Sequence, residues 1–297
     1  MNMRSFDTGT ALKDNSAYIE GVLENYLSED NIGSGKLAEA MRYAVLGGGK
    51  RIRAYLVMAA GAMFGAPAEA CVPFAAAIEM IHAYSLVHDD LPTMDNDDMR
   101  RGKPSCHKAY GEATALLAGD ALLSLAFQTT AGNRYVDPRS SALAAAEYGR
   151  LSGAVGMAGG QEIDLEGSAQ NYEELCRMYG LKTGALICAA LYAGYFAAEP
   201  EPKDEILAKL KKYGLNLGLA FQIQDDVLDV QGDESMLGKP VGSDEKNDKH
   251  TSLAYMSAED AVVEYEKLTK EAVAAVSDIE GSEALCSLAY YLCKRQS

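Results

Sequence analysis

The sequence predicts an all-α protein, and three observations carry that expectation. The composition suits helix, with Ala abundant, Trp absent and only 8 Pro in 297 residues. Apolar residues recur at helical spacing in segment after segment. No segment alternates apolar and polar residues as a half-buried strand does. A hydrophobic fraction of 48% marks a globular chain rather than a disordered one. No fixed-period repeat, low-complexity tract or shift in composition divides the chain, so residues 1–297 are expected to form one domain.

The elements follow in order. A first helix is expected from about residue 10 to 27, capped by Thr8 or Thr10. Gly33-Ser34-Gly35 breaks the chain. Leu37, Met41, Ala44 and Val45 then share a helical face up to Gly47-Gly48-Gly49, which ends the helix and leaves backbone N–H groups open. Lys50-Arg51-Ile52-Arg53 comes at once. Flexible glycines beside cations at a helix start make an anion site. A plain helix end with a solvated basic face explains the same residues, and locally both readings stand. Ala54 to Met63 is helical, Ala66-Pro67 is a break, and Glu69 to His88 reads as one long helix with Val72, Ala75, Ala76, Met80, Ala83 and Val87 in register.

Glu112 to Thr130 and Pro138 to Gly153 are further helices. Gly159-Gly160-Gln161-Glu162-Ile163-Asp164 interrupts the pattern with a polar cluster. Tyr172 to Tyr179 leads through Gly180 to Lys182-Thr183-Gly184, and then to the longest apolar run, Ala185 to Ala198. That run is too short to span a bilayer and fits a buried helix. A lysine just before it either has a task or snorkels from a helix end. After a charged connection, Ala198 to Asp204, a long helix is expected from Ile206 to Val230. Residues 232–250 lack periodicity, and a loop of that length usually has a function. Ala258 to Ile279 and Glu283 to Cys293 close the chain as amphipathic helices.

The formal net charge is −16, which argues against a nucleic-acid partner. An anionic substrate is still compatible if cations receive it locally. Six cysteines are scattered with no CxxC pair, so they read as reduced thiols rather than zinc ligands. The residues from Met1 to Asp7 lack an apolar signal core, and a cytoplasmic location is expected.

Chemistry concentrates at two acidic clusters. In the first, His88-Asp89-Asp90-Leu91-Pro92-Thr93-Met94-Asp95-Asn96-Asp97-Asp98-Met99-Arg100-Arg101-Gly102, five carboxylates fall within ten residues. The second is Asp225-Asp226-Val227-Leu228-Asp229, set in apolar sequence where uncompensated charge is costly. One acidic run is ordinarily a solvated loop. Two in apolar helical contexts point to divalent cations among carboxylate oxygens. Asp225 and Asp229 share a helix face, roughly 40° apart. Asp89 and Asp95 cannot share a face on one regular helix, so Pro92 implies a loosened turn between them. Oxygen-only ligands suggest magnesium, which bridges carboxylates and substrate phosphates. Lys50, Arg53, Arg100, Arg101, Lys182 and Lys239 can receive the phosphate. There is no GxSxG, HExxH or Walker A motif, and no nucleophile–base pair stands out. The residues suit stabilisation of charge as a diphosphate leaves carbon.

In these motifs the sequence resembles the trans-isoprenyl diphosphate synthases of the polyprenyl synthetase family. The resemblance rests on Gly48-Gly49-Lys50-Arg51-Ile52-Arg53, Asp89 to Asp95 with Arg100-Arg101-Gly102, and Gly160-Gln161 with Asp164. It continues through Lys182-Thr183-Gly184, Phe221-Gln222-Ile223-Gln224-Asp225-Asp226 with Asp229, and Gly238-Lys239 with Asp244 and Lys249. It implies a helical bundle around a central cavity, a homodimer without stable membrane association, and condensation of an allylic diphosphate with isopentenyl diphosphate. It implies three magnesium ions, held by Asp89, Asp95 and Asp225 with Asp90, Asp226 and Asp229 in support. It places the allylic diphosphate on Arg100, Lys182 and Lys239, and isopentenyl diphosphate on Lys50, Arg53, His82 and Arg101. Lys182, Thr183 and Gln222 become the catalytic group, with Thr183 and Gln222 facing the developing carbocation and Phe221 beside them. Tyr84, with the smaller Ser85 above it, would limit the product to C15, although plain core packing also explains Tyr84. Two positions depart from the family pattern: Ala54 stands where Pro is common, and Ser252-Leu253 where Tyr-Pro is common. A geranylgeranyl (C20) synthase is the alternative within the family. A class I terpene cyclase, a non-catalytic partner subunit and an acidic scaffold each leave one of the motifs unexplained.

Overall fold

A computed structural model describes residues 7–231 and 251–294. Among them the chain is helical almost throughout. The helices are α1 (Thr8–Tyr26), α2 (Glu29–Ile32), α3 (Lys36–Val45), α4 (Ile52–Met63), α5 (Ala68–Asp89), α6 (Cys106–Tyr110) and α7 (Glu112–Ala131). They continue with α8 (Pro138–Ser152), α9 (Met157–Glu166), α10 (Tyr172–Tyr179), α11 (Ala185–Ala198), α12 (Asp204–Gln231), α13 (Ala258–Val276) and α14 (Glu283–Cys293). The expected helices are all present, within a few residues at their ends.

Gly159 to Asp164, expected to interrupt the helical pattern, lies inside α9, and two further features differ from the sequence expectation. Met99–Arg100 (β1) and Lys103–Pro104 (β2) pair antiparallel, in the register Met99↔Pro104 and Arg100↔Lys103. The two turn residues, Arg101 and Gly102, have φ of 52° and 73°, the left-handed pair that a two-residue hairpin needs. Strands of two residues are too short to show alternation. The second feature is a π-helical turn, Gly180–Gly184, that joins α10 to α11 without a break. The apolar stretch is therefore longer than Ala185 to Ala198. Tyr172–Ala198 and α5 are each long and apolar enough to cross a membrane by length and composition, but 78% of each window is buried, as in core helices.

The chain forms two compact units. One comprises Gly9–Ala145 and Ala193–Pro200. Its centre is α5, packed against α4 and α7, with α3 against α5 and α7. Ala70, Cys71 and every residue from Pro73 to Ile81 are buried, so α5 is covered on all sides. Nothing in its apolar pattern requires Glu79, which is 2% exposed.

The other unit contains Ala146–Tyr192 and the described residues from Glu201 onward. Here α12 packs against α13, and the π turn packs against α9, α10 and α12. Leu175, Met178, Tyr179, Ala220, Ile223, Val227, Ala261 and Leu268 form a buried cluster beneath them. That cluster holds the last turns of α12, and so the second acidic cluster, in place.

Candidate active site

The first unit carries the glycine turn, the first acidic cluster and both arginines that follow it. α3 stops at Val45, and Gly48 and Gly49 take φ of 79° and 123°. A side chain at Gly49 would be strained, and its Cβ would lie 3.0 Å from the Arg101 guanidinium. Arg101 donates from Nη1 to the Gly48 carbonyl, so the hairpin clasps the glycine turn. The left-handed backbone at Arg101 is what aims it there.

Arg51, read from the sequence only as one of the cations beside the glycine turn, is the strut of this region. It is 4% exposed and also left-handed, with φ 46°. It donates to Glu20 (2.6 and 3.1 Å), to the Val45 carbonyl (2.5 Å) and to Glu79 (3.3 Å). The other oxygen of Glu79 accepts the Ala54 N–H at 3.0 Å, near the N-terminus of α4, where the helix dipole favours an anion. The departure at Ala54 thus has a structural use, because Pro has no N–H to give. Only a charged residue in the midst of an apolar helix could have signalled Glu79.

Around this strut gathers a cationic cluster. Burial foremost, then the charges of Arg53, Arg101, Arg51 and Arg100, hold the His82 imidazole well below its ordinary value. It is neutral at physiological pH, although the residue as a whole is only partly buried. Burial, opposed by Glu79, lowers Arg53, and its Nε is buried without a hydrogen-bond partner. Burial together with Arg51 likewise lowers Arg101. Cations held this close in an acidic chain suit a multiply charged anion. Lys50 lies beside them in sequence, exposed at the end of the glycine turn.

α5 ends at Asp89, and the chain turns through Leu91 and Pro92. Asp95 N–H then returns to the Asp89 carbonyl at 2.8 Å. The loosened turn expected from Pro92 is present, and it brings the two residues together. Asp90 differs. It is 2% exposed, and Arg100 grips both its oxygens, with Nε at 3.0 and 3.2 Å. Burial raises its carboxyl, and the Arg100 contacts counter that. This is the geometry of an aspartate that orients an arginine. It fits poorly with the metal ligation expected of Asp90.

Further back on α5, the Tyr84 ring meets the His88 ring edge-on at a centroid distance of 5.8 Å. His88 Nε2 lies 3.0 Å from the Leu116 carbonyl of α7. Ser85 turns its hydroxyl back to the His82 carbonyl at 2.9 Å, a bond within its own helix.

The second unit carries Lys182, Thr183, Gln222, Asp225, Asp226 and Asp229. The π turn presents Lys182 toward α9, where it pairs with Asp164 at 2.5 Å. This approach requires Gly160, since a Cβ there would lie 2.3 Å from the Lys182 backbone nitrogen. Thr183 donates its hydroxyl to Gln222 Oε1 at 2.7 Å. Asp225 and Asp229 stand one turn apart near the end of α12, both partly exposed. Asp226 between them points inward, 5% exposed. Its Oδ2 accepts from Tyr179 (2.8 Å) and from the N–H (2.8 Å) and hydroxyl (2.6 Å) of Ser252. The departure at Ser252 is therefore an anchor. Lys239, with Asp244 and Lys249, lies outside the described residues.

Among the described residues, no three His, Cys, Asp or Glu side chains converge on one point. The acidic residues instead come two by two: a backbone hydrogen bond joins Asp95 to Asp89, and Asp225 and Asp229 stand one turn apart on α12. An all-oxygen donor set of this kind fits magnesium, which keeps positions for water and phosphate oxygens.

Residues 34–286 match the polyprenyl synthetase family, and the chain belongs to that family. It is 43% identical over 267 residues to farnesyl diphosphate synthase of Escherichia coli, covering 87% of this chain and 89% of the relative. It is 40% identical over 269 residues to geranylgeranyl pyrophosphate synthase 7 of Arabidopsis thaliana, covering 88% and 77%. Among solved structures it is similar to geranyltransferase from Helicobacter pylori, complexed with magnesium and isoprenyl diphosphate. That match has a TM-score of 0.83 at 28% identity and covers 98% of each chain.

Proposed function

We propose that this chain is a prenyltransferase that joins isopentenyl diphosphate to dimethylallyl and geranyl diphosphates, with farnesyl diphosphate as the main product. The observation that carries the reading is the cationic cluster around neutral His82, built into the same unit as Asp89 and Asp95, in a chain of net charge −16. Relatives that bear the name farnesyl diphosphate synthase support it. The Arabidopsis relative keeps a C20 product as the alternative.

Each residue then has a task. Lys50, Arg53, His82 and Arg101 hold isopentenyl diphosphate, and the unpartnered Arg53 Nε is a donor waiting for that anion. Arg100, Lys182 and Lys239 hold the allylic diphosphate. Asp89, Asp95, Asp225 and Asp229 hold magnesium, three ions per site. When bound, magnesium neutralises the diphosphate and makes it a better leaving group. Asp90 and Asp226 act at one remove: Asp90 orients Arg100, and Asp226 ties Ser252 to Tyr179. The diphosphate leaves carbon with the bonding electron pair. Thr183 and Gln222 present oxygen dipoles to the carbocation left behind. The isopentenyl double bond attacks it, and a proton is lost to the departed diphosphate, so no side-chain base is needed. Tyr84 limits chain growth. The protein works as a cytoplasmic homodimer without stable membrane association, and Leu116 and Leu117, exposed on α7, are apolar surface for a second copy.

Purified protein given both substrates should release one diphosphate per condensation, and neither substrate alone should be consumed. Diphosphate release from the allylic substrate alone, with a cyclic hydrocarbon as product, would identify a cyclase instead.

A further inference from the structure

The second unit contains a cavity of about 360 Å³ that the reaction above does not use. It lies between α8, α10, α11 and α12. Its walls are mostly apolar and include Leu151, Tyr192, Leu215 and Leu219. Its charged lining is Arg150, Arg177 and Lys211, with no carboxylate. Arg150 is paired with Glu147 at 2.6 Å, whereas Arg177 and Lys211 have no ion-pair partner among the described residues. In a chain with 43 acidic and 27 basic residues, a lining of three cations and no anion is not a typical sample of the surface. Carboxylates stand behind the lining rather than in it: Glu147, which balances Arg150, acts on Cys188 and Tyr192, and Glu173 and Glu264 act on Cys176, so the uncompensated charge is that of Arg177 and Lys211. Burial raises the Cys176 thiol and pushes the Cys188 thiol up to about 12, and burial raises the Tyr192 phenol, so all three stay neutral. The volume is at the small end of the roughly 300–1,000 Å³ typical of small-molecule sites, where an apolar wall with a few polar groups is usual.

We propose that this cavity binds a small amphiphilic anion, with its apolar body against α11 and α12 and its anionic head between Arg177 and Lys211. Gly180 and Leu181 form part of the wall, so the occupant touches the backbone of the turn that holds Lys182 and Thr183. Occupancy therefore changes kcat for prenyl transfer more than either KM. That last consequence rests on the function proposed above, but binding itself does not.

Calorimetry on the full-length protein tests the site with three probes: decanoate, decyl phosphate and decanol. The expected result is one binding event per chain for one or both anions, at least tenfold tighter than for decanol. Preference between the two anions tells whether a carboxylate or a phosphate is the natural head. The double variant Arg177→Glu/Lys211→Glu changes only exposed side chains and should weaken the anions at least tenfold, with basal activity and thermal midpoint unchanged. Equal binding of decanol, no binding, or binding that survives the double variant would overturn the proposal. So would anion binding lost only in Lys182→Ala, which would place the probe in the substrate site. Dissociation of a dimer by the double variant would also overturn it, by making this face a contact between copies. If the anions bind as expected but kcat does not change, the site stands and its link to prenyl transfer fails.

Discussion

Lys182 Nζ lies 2.5 Å from Asp164 Oδ2, a pairing made between a π-helical turn and the polar end of α9. The lysine is thus aimed before any substrate arrives. A partly buried charge-assisted hydrogen bond of this kind contributes roughly 1.5–3 kcal/mol. Asp164→Asn should therefore lower kcat/KM for the allylic substrate about 10- to 100-fold. The fold and the isopentenyl KM should hardly change. Steady-state kinetics with each substrate varied in turn, plus circular dichroism, check this.

The carboxylate pairs give a metal prediction. Asp89→Ala and Asp225→Ala should each abolish turnover and leave helix content intact. Activity should disappear on chelation and return with added magnesium. Asp90→Asn and Asp226→Asn, at residues bonded to Arg100 and Ser252, should keep magnesium dependence and lose activity less completely. Full turnover in a chelated sample would refute the metal role.

The cationic cluster predicts a split between substrates. Arg53→Ala should raise the KM for isopentenyl diphosphate more than that for the allylic partner, and Lys239→Ala should do the reverse. Equal effects from both variants would remove the assignment.

Glu79 predicts a stability effect in a helix that otherwise looks purely apolar. Removing one partner of a buried ion pair costs about 3–5 kcal/mol, because the other charge stays buried. Arg51 keeps Glu20, so Glu79→Ala should cost about 3 kcal/mol. Ala54→Pro removes the N–H that Glu79 accepts, constrains Arg53 before it, and should cost about 1–3 kcal/mol. Urea unfolding measures both. Values near zero would mean that Glu79 is not the support described.

His82 gives the pH dependence. Its folded value lies well below 6.5, so as pH falls past 6.5 the unfolded chain takes up a proton that the folded chain refuses. Stability from this group therefore rises with pH through that window and falls in acid. His82→Gln should flatten the thermal midpoint on the acid side of 6.5 relative to the parent.

Much of this was legible in the sequence, and the reasons are specific. α5 and α12 are long, periodic and end in acidic clusters, so their existence and their carboxylates could be read from spacing alone. Pro92 was enough to foretell the turn that joins Asp95 to Asp89. What escaped depends on tertiary partners. Asp90 and Asp95 look alike in sequence, and only the hairpin shows that Arg100 takes Asp90. Arg51 and Arg53 sit two residues apart, yet one is a buried strut and the other lacks a partner for its Nε. The π turn was hidden because one extra residue per turn leaves no compositional mark, and Gly180 and Gly184 read simply as breaks.

Tyr84 tests chain length. Tyr84→Ala should open space beside α5 and shift product toward C20 or longer. Unchanged product length would reduce Tyr84 to core packing against His88.

The most direct measurement of the central claim is a product assay on the purified protein with isopentenyl diphosphate and, separately, C5, C10 and C15 allylic partners. Mainly C15 product is expected from the C5 and C10 partners, with little extension of the C15 one. Mainly C20 product, or no condensation with any partner, would contradict it.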